Sequence, residues 1–277
     1  HSQMEISVDY MSGWNLFGLP LEGPEPASEC SALTNLFHYT MSGYEDVQQP
    51  VVGEGYWIRF ADECIATFAG ESIDEMAVNL MDDWNMISGI SYPVHVNNIH
   101  DPDGILVLNT IFSFDENGYT NAEYLEPGRG YWVRTYDEGQ IIISTWEGNA
   151  SAKLLTLSNH LADANTISFN GKALHFGVDV PEEHRLSYSL PPKPFSGAFD
   201  VRFAGGWTYV DDYGEIELQG ITNFVTIDFD ITIPAGENLY WNLIDDFGNE
   251  HILDGSGSIT VSGGEQTFTL KKNRVIP

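Results

Sequence analysis

The chain is short of basic residues: its 277 positions hold 11 Lys plus Arg against 41 Asp plus Glu, a formal charge of −30. A binder that works by neutralising phosphates needs a basic face, so nucleic acid is excluded as a partner. An anionic bilayer surface would repel such a chain as well. No run of about 18 apolar residues occurs, which leaves no candidate transmembrane helix and no expectation of membrane insertion. The opening residues lack the basic-then-apolar pattern of a signal peptide. Only two cysteines are present, Cys30 and Cys64. Two thiols are compatible with one disulfide in an oxidising compartment, or with two separate buried thiols. Catalytic signatures are missing too: there is no Gly-x-Ser-x-Gly, no His-Glu-x-x-His and no cysteine in a nucleophile context. A glycan-active or metal-dependent enzyme is therefore the weakest of the readings that the sequence allows.

What is present is the material of a core. Hydrophobic residues make up 42% and aromatics 13%, more than an acidic disordered chain carries. The acidity is uneven. Residues 1–150 hold 24 acids, three arginines and no lysine, a net of −21, and the remainder is only −9. Such a surface suits a saline or calcium-rich medium, either by solubility alone or by binding cations.

The first half is internally repeated. Gly13-Trp14-Asn15-Leu16-Phe17 matches Asp83-Trp84-Asn85-Met86-Ile87 at an offset of 70, and Gly53-Glu54-Gly55-Tyr56-Trp57-Ile58-Arg59 matches Gly128-Arg129-Gly130-Tyr131-Trp132-Val133-Arg134 at 75. Leu36-Phe37-His38-Tyr39 and Ile111-Phe112-Ser113-Phe114 share the offset of 75, so one loop insertion after Trp84 accounts for the difference. Each unit reads as short aromatic and β-branched strands between Gly, Pro, Asn and Asp turns. The segments Ser72 to Leu80 and His95 to Ile99 fit a helical turn or a strand equally. Tyr and Ile or Val of each Gly-Tyr-Trp-Ile/Val-Arg run should share one strand face, with Trp and Arg on the other. The aromatics then form either the interface between the repeats or a ligand platform. The Gly-x-Gly opens a strand and not a helix, so it is no phosphate loop.

From about residue 151 the pattern remains β without the repeat. Ten short strands are expected, among them Ala152 to Leu157 and Arg185 to Leu190, with Pro191-Pro192-Lys193-Pro194 as a stiff crossover. The expected fold is all-β: a duplicated, pseudo-symmetric β domain over 1–150, with repeats at about 12–70 and 82–145, followed by an antiparallel β-sandwich over 151–277.

The paired Trp-Asn openings and Gly-Tyr-Trp-Ile/Val-Arg closings, with Leu186-Ser187-Tyr188-Ser189-Leu190-Pro191-Pro192, Phe199-Asp200-Val201-Arg202-Phe203 and the Phe268-Thr269-Leu270-Lys271-Lys272 end, resemble a recurrent C-terminal β-rich region of large bacterial surface proteins exported by type IX secretion. That resemblance spans nearly the whole chain. It implies an extracellular or cell-surface location and assigns no activity, and the sorting domain that follows such regions is absent from this chain.

Glycan binding needs aromatic faces with nearby hydroxyl-binding groups on a rigid base. The Gly-flanked segment Trp207, Tyr209, Asp211, Asp212 and Tyr213 meets that description, unless Trp207 instead caps the sandwich core. Trp146, past the last repeat strand, is a further ligand candidate or a seal at the domain junction. Asp101 and Asp103 read as a turn, with calcium as the alternative. The functional expectation is a secreted, non-catalytic module that binds extracellular polysaccharide or mediates adhesion. The rival is a structural subunit or spacer that meets other surface proteins through sheet edges.

Overall fold

The computed structural model describes residues 2–28, 30–146 and 159–274, with 24–28 described by backbone alone. The expected strand at Ala152 to Leu157 lies outside the described residues. Among the described residues the protein is all-β, with no barrel, sheets that are antiparallel apart from the parallel pair Lys172–Phe176 and Tyr209–Val210, and short 3-10 segments at Val96–Asn98 and Glu182–Tyr188. It forms two compact units, the bulk of the first within residues 1–157 and of the second within 158–277.

The first unit contains one four-stranded sheet twice. In the first copy the strands run in the order Gly13–Gly18, Gly55–Phe60, Leu36–Thr40, Gly43–Val47. In the second they run Asp83–Ser88, Gly130–Thr135, Phe112–Asp115, Gly118–Asn121. The registers correspond: Trp14 lies opposite Arg59 and Trp84 opposite Arg134. The shared Trp-Asn motif has a local cause. Asn15 donates to the carbonyls of Met11 and Gly13 and accepts from the Met11 amide, and Asn85 does the same to Met81 and Asp83. This clamp needs a left-handed residue just before the tryptophan. Gly13 (φ 85°) supplies it in the first copy, and Asp83 (φ 73°), a residue type that tolerates this region, in the second.

Each copy begins earlier than the motifs suggest. Gln3–Tyr10 pairs with Cys64–Ser72 and Glu75–Leu80 with Gly139–Ser144, so that Tyr10↔Cys64 corresponds to Leu80↔Gly139. The two segments share only an apolar alternation, Ile6, Val8 and Tyr10 against Met76, Val78 and Leu80, which sequence matching does not register. Of the two ambiguous segments, the first is thus a strand from Glu75 onward and the second a 3-10 turn.

The central strand of each copy is buried on both faces. Tyr56, Ile58 and Phe60 face an inner core with Val8, Tyr10, Phe17 and Phe68; Tyr131 and Val133 face its counterpart with Val78, Leu80, Ile87 and Ile143. On the opposite face the tryptophans exchange partners between copies. Trp57 packs edge-on against Phe114 and Tyr119, and Trp132 against Tyr39 and Tyr44. Trp14 and Trp84 stand perpendicular to them, at ring distances of 6.2 Å in both copies. These rings are the interface between the repeats.

At the seam the two backbones touch. Arg129 bridges Phe17, and reciprocally Glu54 bridges Ile87. A Cβ on Gly55 would lie 2.5 Å from the Ile87 carbonyl oxygen, and one on Gly130 2.7 Å from that of Phe17. Nearest the pseudo-twofold axis, Gly18 faces its own counterpart, Ser88: a Cβ on Gly18 would lie 2.3 Å from the Ser88 Cβ. Only one of these two equivalent positions has room for a side chain.

The copies differ at their rims. In the first, Leu21–Ser28 adds a third strand to the outer sheet, and a disulfide joins Cys30 to Cys64. In the second, the corresponding connector contributes a single bridge, His100 to Ile142, with mutual backbone hydrogen bonds of 2.8 and 2.9 Å.

The second unit is a sandwich of two five-stranded sheets. One runs Tyr209–Val210, Lys172–Phe176, Asn165–Phe169, Phe224–Asp230, Ser256–Ser262. The other runs Asp200–Phe203, Tyr213–Gln219, Gln266–Arg274, Leu239–Ile244, Glu250–Leu253. Phe169, Phe176, Phe203, Trp241 and Phe268 fill the space between them. One expected strand is not a strand: Arg185 to Leu190 belongs mostly to the 3-10 segment that follows Pro181. Its alternation is genuine, yet Pro181 and Pro191 bracket too short a span for a ladder, and only Ser189 makes a bridge, to Trp207. Beneath it, Arg202 and Asp200 form a fully buried bidentate pair at 2.6 and 2.8 Å, and Arg202 also donates to the Pro191 carbonyl.

Two predictions follow from the first unit's core. Gly18→Ser makes the two copies more alike in sequence but should destabilise the protein by about 1–3 kcal/mol through overpacking, whereas the swapped pair Gly18→Ser with Ser88→Gly should recover most of that loss in urea unfolding. Burial raises the phenols of Tyr10, Tyr56 and Tyr131 above their ordinary value of 10.0, that of Tyr131 to about 12. The folded state therefore holds these protons longer than the unfolded chain, and the associated stability is intact below pH 10 and is lost as pH climbs past it. Circular dichroism alongside tyrosinate absorbance should show unfolding coupled to late-titrating tyrosines; one uncomplicated step near pH 10 with the fold retained would contradict the burial argument.

Candidate functional site

The segment expected to bind glycan is organised differently from an open aromatic face. Two left-handed glycines, Gly205 and Gly206, turn the chain so that Trp207 bridges both Phe203 and Ser189. Trp207 is half-buried against the sandwich core, and the Arg185 guanidinium lies over its ring at 5.5 Å. Tyr209 is buried, stacks edge-on against Tyr188 and accepts from Arg185 Nε at 3.1 Å. Burial raises its phenol despite the opposing guanidinium. Asp211, Asp212 and Tyr213 are exposed. Asp212 pairs with Lys272 at 3.0 Å. The Asp211 carboxyl is raised by partial desolvation and by the neighbouring Asp212 charge. The two largest rings of the segment are thus committed to packing, and what it offers solvent is two acids and one tyrosine.

Trp146 is exposed at the last described residue of its segment. The Asp101 carboxylate accepts from the amides of Ile105 and Leu106, and that of Asp103 from the Gln140 amide. Asp101 therefore closes its own turn, and Asp103 ties that turn to the strand Gly139–Ser144. Among the described residues no group of three or more His, Cys, Asp or Glu side chains is placed to hold a metal ion.

The most developed concave surface lies elsewhere, at the seam of the duplicated unit. A cleft of about 870 Å³ runs between Tyr39, Thr40, Met41, Ser42 and Glu54 of the first copy and Asn79, Met81, Asp83 and Trp84 of the second, with Asp137 and Glu138 at its edge. Tyr39 and Trp84 are half-buried, held by the tryptophan contacts at the interface, and Met41 and Met81 are exposed. Arg134 covers one side of Trp84 at 5.5 Å and pairs with Asp83 at 2.7 Å. Glu54 accepts from the Tyr56 hydroxyl at 2.6 Å, and His38 Nδ1 is 2.9 Å from the Gly55 carbonyl.

The pseudo-twofold generates a second cleft of about 480 Å³. Its walls are the counterparts of the first: Ser113, Phe114 and Asp115 for His38, Tyr39 and Thr40, Arg129 for Glu54, and Met11, Asn15 and Leu16 for Met81, Asn85 and Met86. The sequence offered the repeat aromatics as either an interface or a ligand platform; the structure makes them an interface, with the clefts at its rim. The signal available was the charge difference between equivalent repeat positions, Glu54 against Arg129 above all, which matching by similarity discards. Comparison with known proteins leaves the chain standing apart: no family model, no curated protein and no solved structure matches it.

Proposed function

We propose that the protein is a non-catalytic, extracellular binding module that holds carbohydrate in the larger seam cleft. The observation that carries this reading is the cleft itself. Its volume lies at the upper end of the about 300–1,000 Å³ usual for ligand sites, it is walled by strands of two sheets, and it sets the half-buried rings of Tyr39 and Trp84 among hydroxyl and carboxylate groups that suit sugar hydroxyls. A disulfide between Cys30 and Cys64 fits an oxidising compartment. The strong negative charge favours solubility in salt, and the resemblance to type IX-exported surface proteins agrees with such a location.

Affinity electrophoresis through gels containing soluble polysaccharides tests the reading. Retardation by at least one glycan is expected. Trp84→Ala should weaken it about two- to tenfold, as loss of an aromatic contact worth about 0.5–1.5 kcal/mol implies, and Trp84→Phe, which keeps the packing, should weaken it less. Trp207→Ala should leave it unchanged, because that ring lies outside the cleft and packs against the sandwich core. Mobility indifferent to every glycan, together with concentration-dependent polymers of the purified protein, would favour a structural subunit instead.

A further inference from the structure

The duplication supplies an internal control on the larger cleft. The two clefts share a backbone, so a residue that both copies require for folding should recur in both, and one that serves a ligand need not. Six carboxylates line the larger cleft: Glu45, Glu54, Asp82, Asp83, Asp137 and Glu138. No lysine or arginine lines it. Four of the six have no acid at the equivalent position of the other copy, whereas Asp137 and Glu138 recur as Asp62 and Glu63. Thr120 stands for Glu45, Arg129 for Glu54, Ser12 for Asp82 and Gly13 for Asp83, while the strand order and the Asn clamp are unchanged. The smaller cleft accordingly carries Arg129 with three acids. The fold does not need these four acids, and crowding like charges at one seam works against stability.

Among the described residues Asp83 alone of the six is paired with a cation, Arg134. The rest face a concave surface that concentrates their field and raises the local concentration of cations. Two half-buried rings in the same cleft offer attraction to a ligand that is both cationic and ring-shaped. We infer that the larger cleft binds a cationic amino-sugar oligosaccharide, such as a glucosamine oligomer with free amines, in preference to a neutral or an acidic glycan. The inference rests on the carbohydrate reading above and specifies its ligand class.

The test uses calorimetry on the whole chain with three probes: a glucosamine oligomer, its N-acetylated form and a uronic acid oligomer, at mildly acidic pH where amines are protonated and carboxylates remain charged. The amino-sugar oligomer should bind at least tenfold tighter than the N-acetylated one, and lose at least tenfold in about 1 M salt, where the screening length is about 3 Å. The triple variant Asp82→Asn, Asp137→Asn, Glu138→Gln alters exposed side chains only, so the fold should persist and affinity for the amino sugar should fall about tenfold. Equal binding of the N-acetylated oligomer, unmoved by salt or by the triple variant, would overturn the cationic preference and leave the carbohydrate reading standing. Tighter binding of the uronate would do the same. A lysine-rich peptide that binds as tightly as the amino sugar would overturn the choice of a glycan. No binding of any oligosaccharide would overturn both readings.

Discussion

The first unit depends on two backbones approaching more closely than any side chain permits. Gly55 lies against Ile87, Gly130 against Phe17, and at the axis Gly18 faces Ser88. This contact lets each central strand bury Tyr on one face and Trp on the other, because the second face is covered by the opposite copy. One copy alone would expose Trp57 or Trp132 with the rings around it, which is why the duplicated unit is the smallest that encloses its aromatics. The clefts are what remains at the seam where the two sheets diverge from the contact.

The axis also shows why the duplication cannot be exact. Residues at equivalent positions that meet one another compete for the same volume, and Gly18 with Ser88 resolves that competition by giving the space to one copy. The Ser88 hydroxyl then accepts from the Gly53 amide, a bond its glycine counterpart cannot reproduce. A similar exchange separates Gly13 from Asp83. The second copy accepts a non-glycine residue in the left-handed region, at some conformational cost, and gains an ion pair with Arg134 that the exposed Arg59 lacks.

The all-β class, the repeat register and the alternation of Tyr and Trp faces were readable because each is fixed by local chemistry: aromatic and β-branched runs, paired glycines, a recurring asparagine. What escaped was set by partners distant in sequence. Gln3–Tyr10 is recognisable as a repeat element only through its pairing with Cys64–Ser72. Leu186 to Leu190 alternates like a strand but finds no neighbouring ladder. Trp207 stood between a ligand-facing ring and a cap on the sandwich core; it packs on that core, while nothing in its own segment announces that Arg185 lies above it. In the sandwich, the buried pair of Asp200 and Arg202 is equally silent in sequence, although leaving either charge there without the other would cost about 3–5 kcal/mol. The seam clefts were hidden for the same reason, since the larger joins residues 38–54 to 78–86 and 137–138, and the smaller joins 11–16 to 113–131.

The disulfide that distinguishes the two copies also changes how the chain responds to force. It closes a segment of 34 residues, and a fully extended chain spans about 3.3–3.6 Å per residue. About 120 Å of contour is thereby withheld when tension is applied to the chain ends, while the second copy, with no such bond, can pay out its whole length. The duplicated unit is symmetric in its core and asymmetric as a mechanical element: its first half gives up only the part of its length outside the Cys30–Cys64 loop, and its second half all of it.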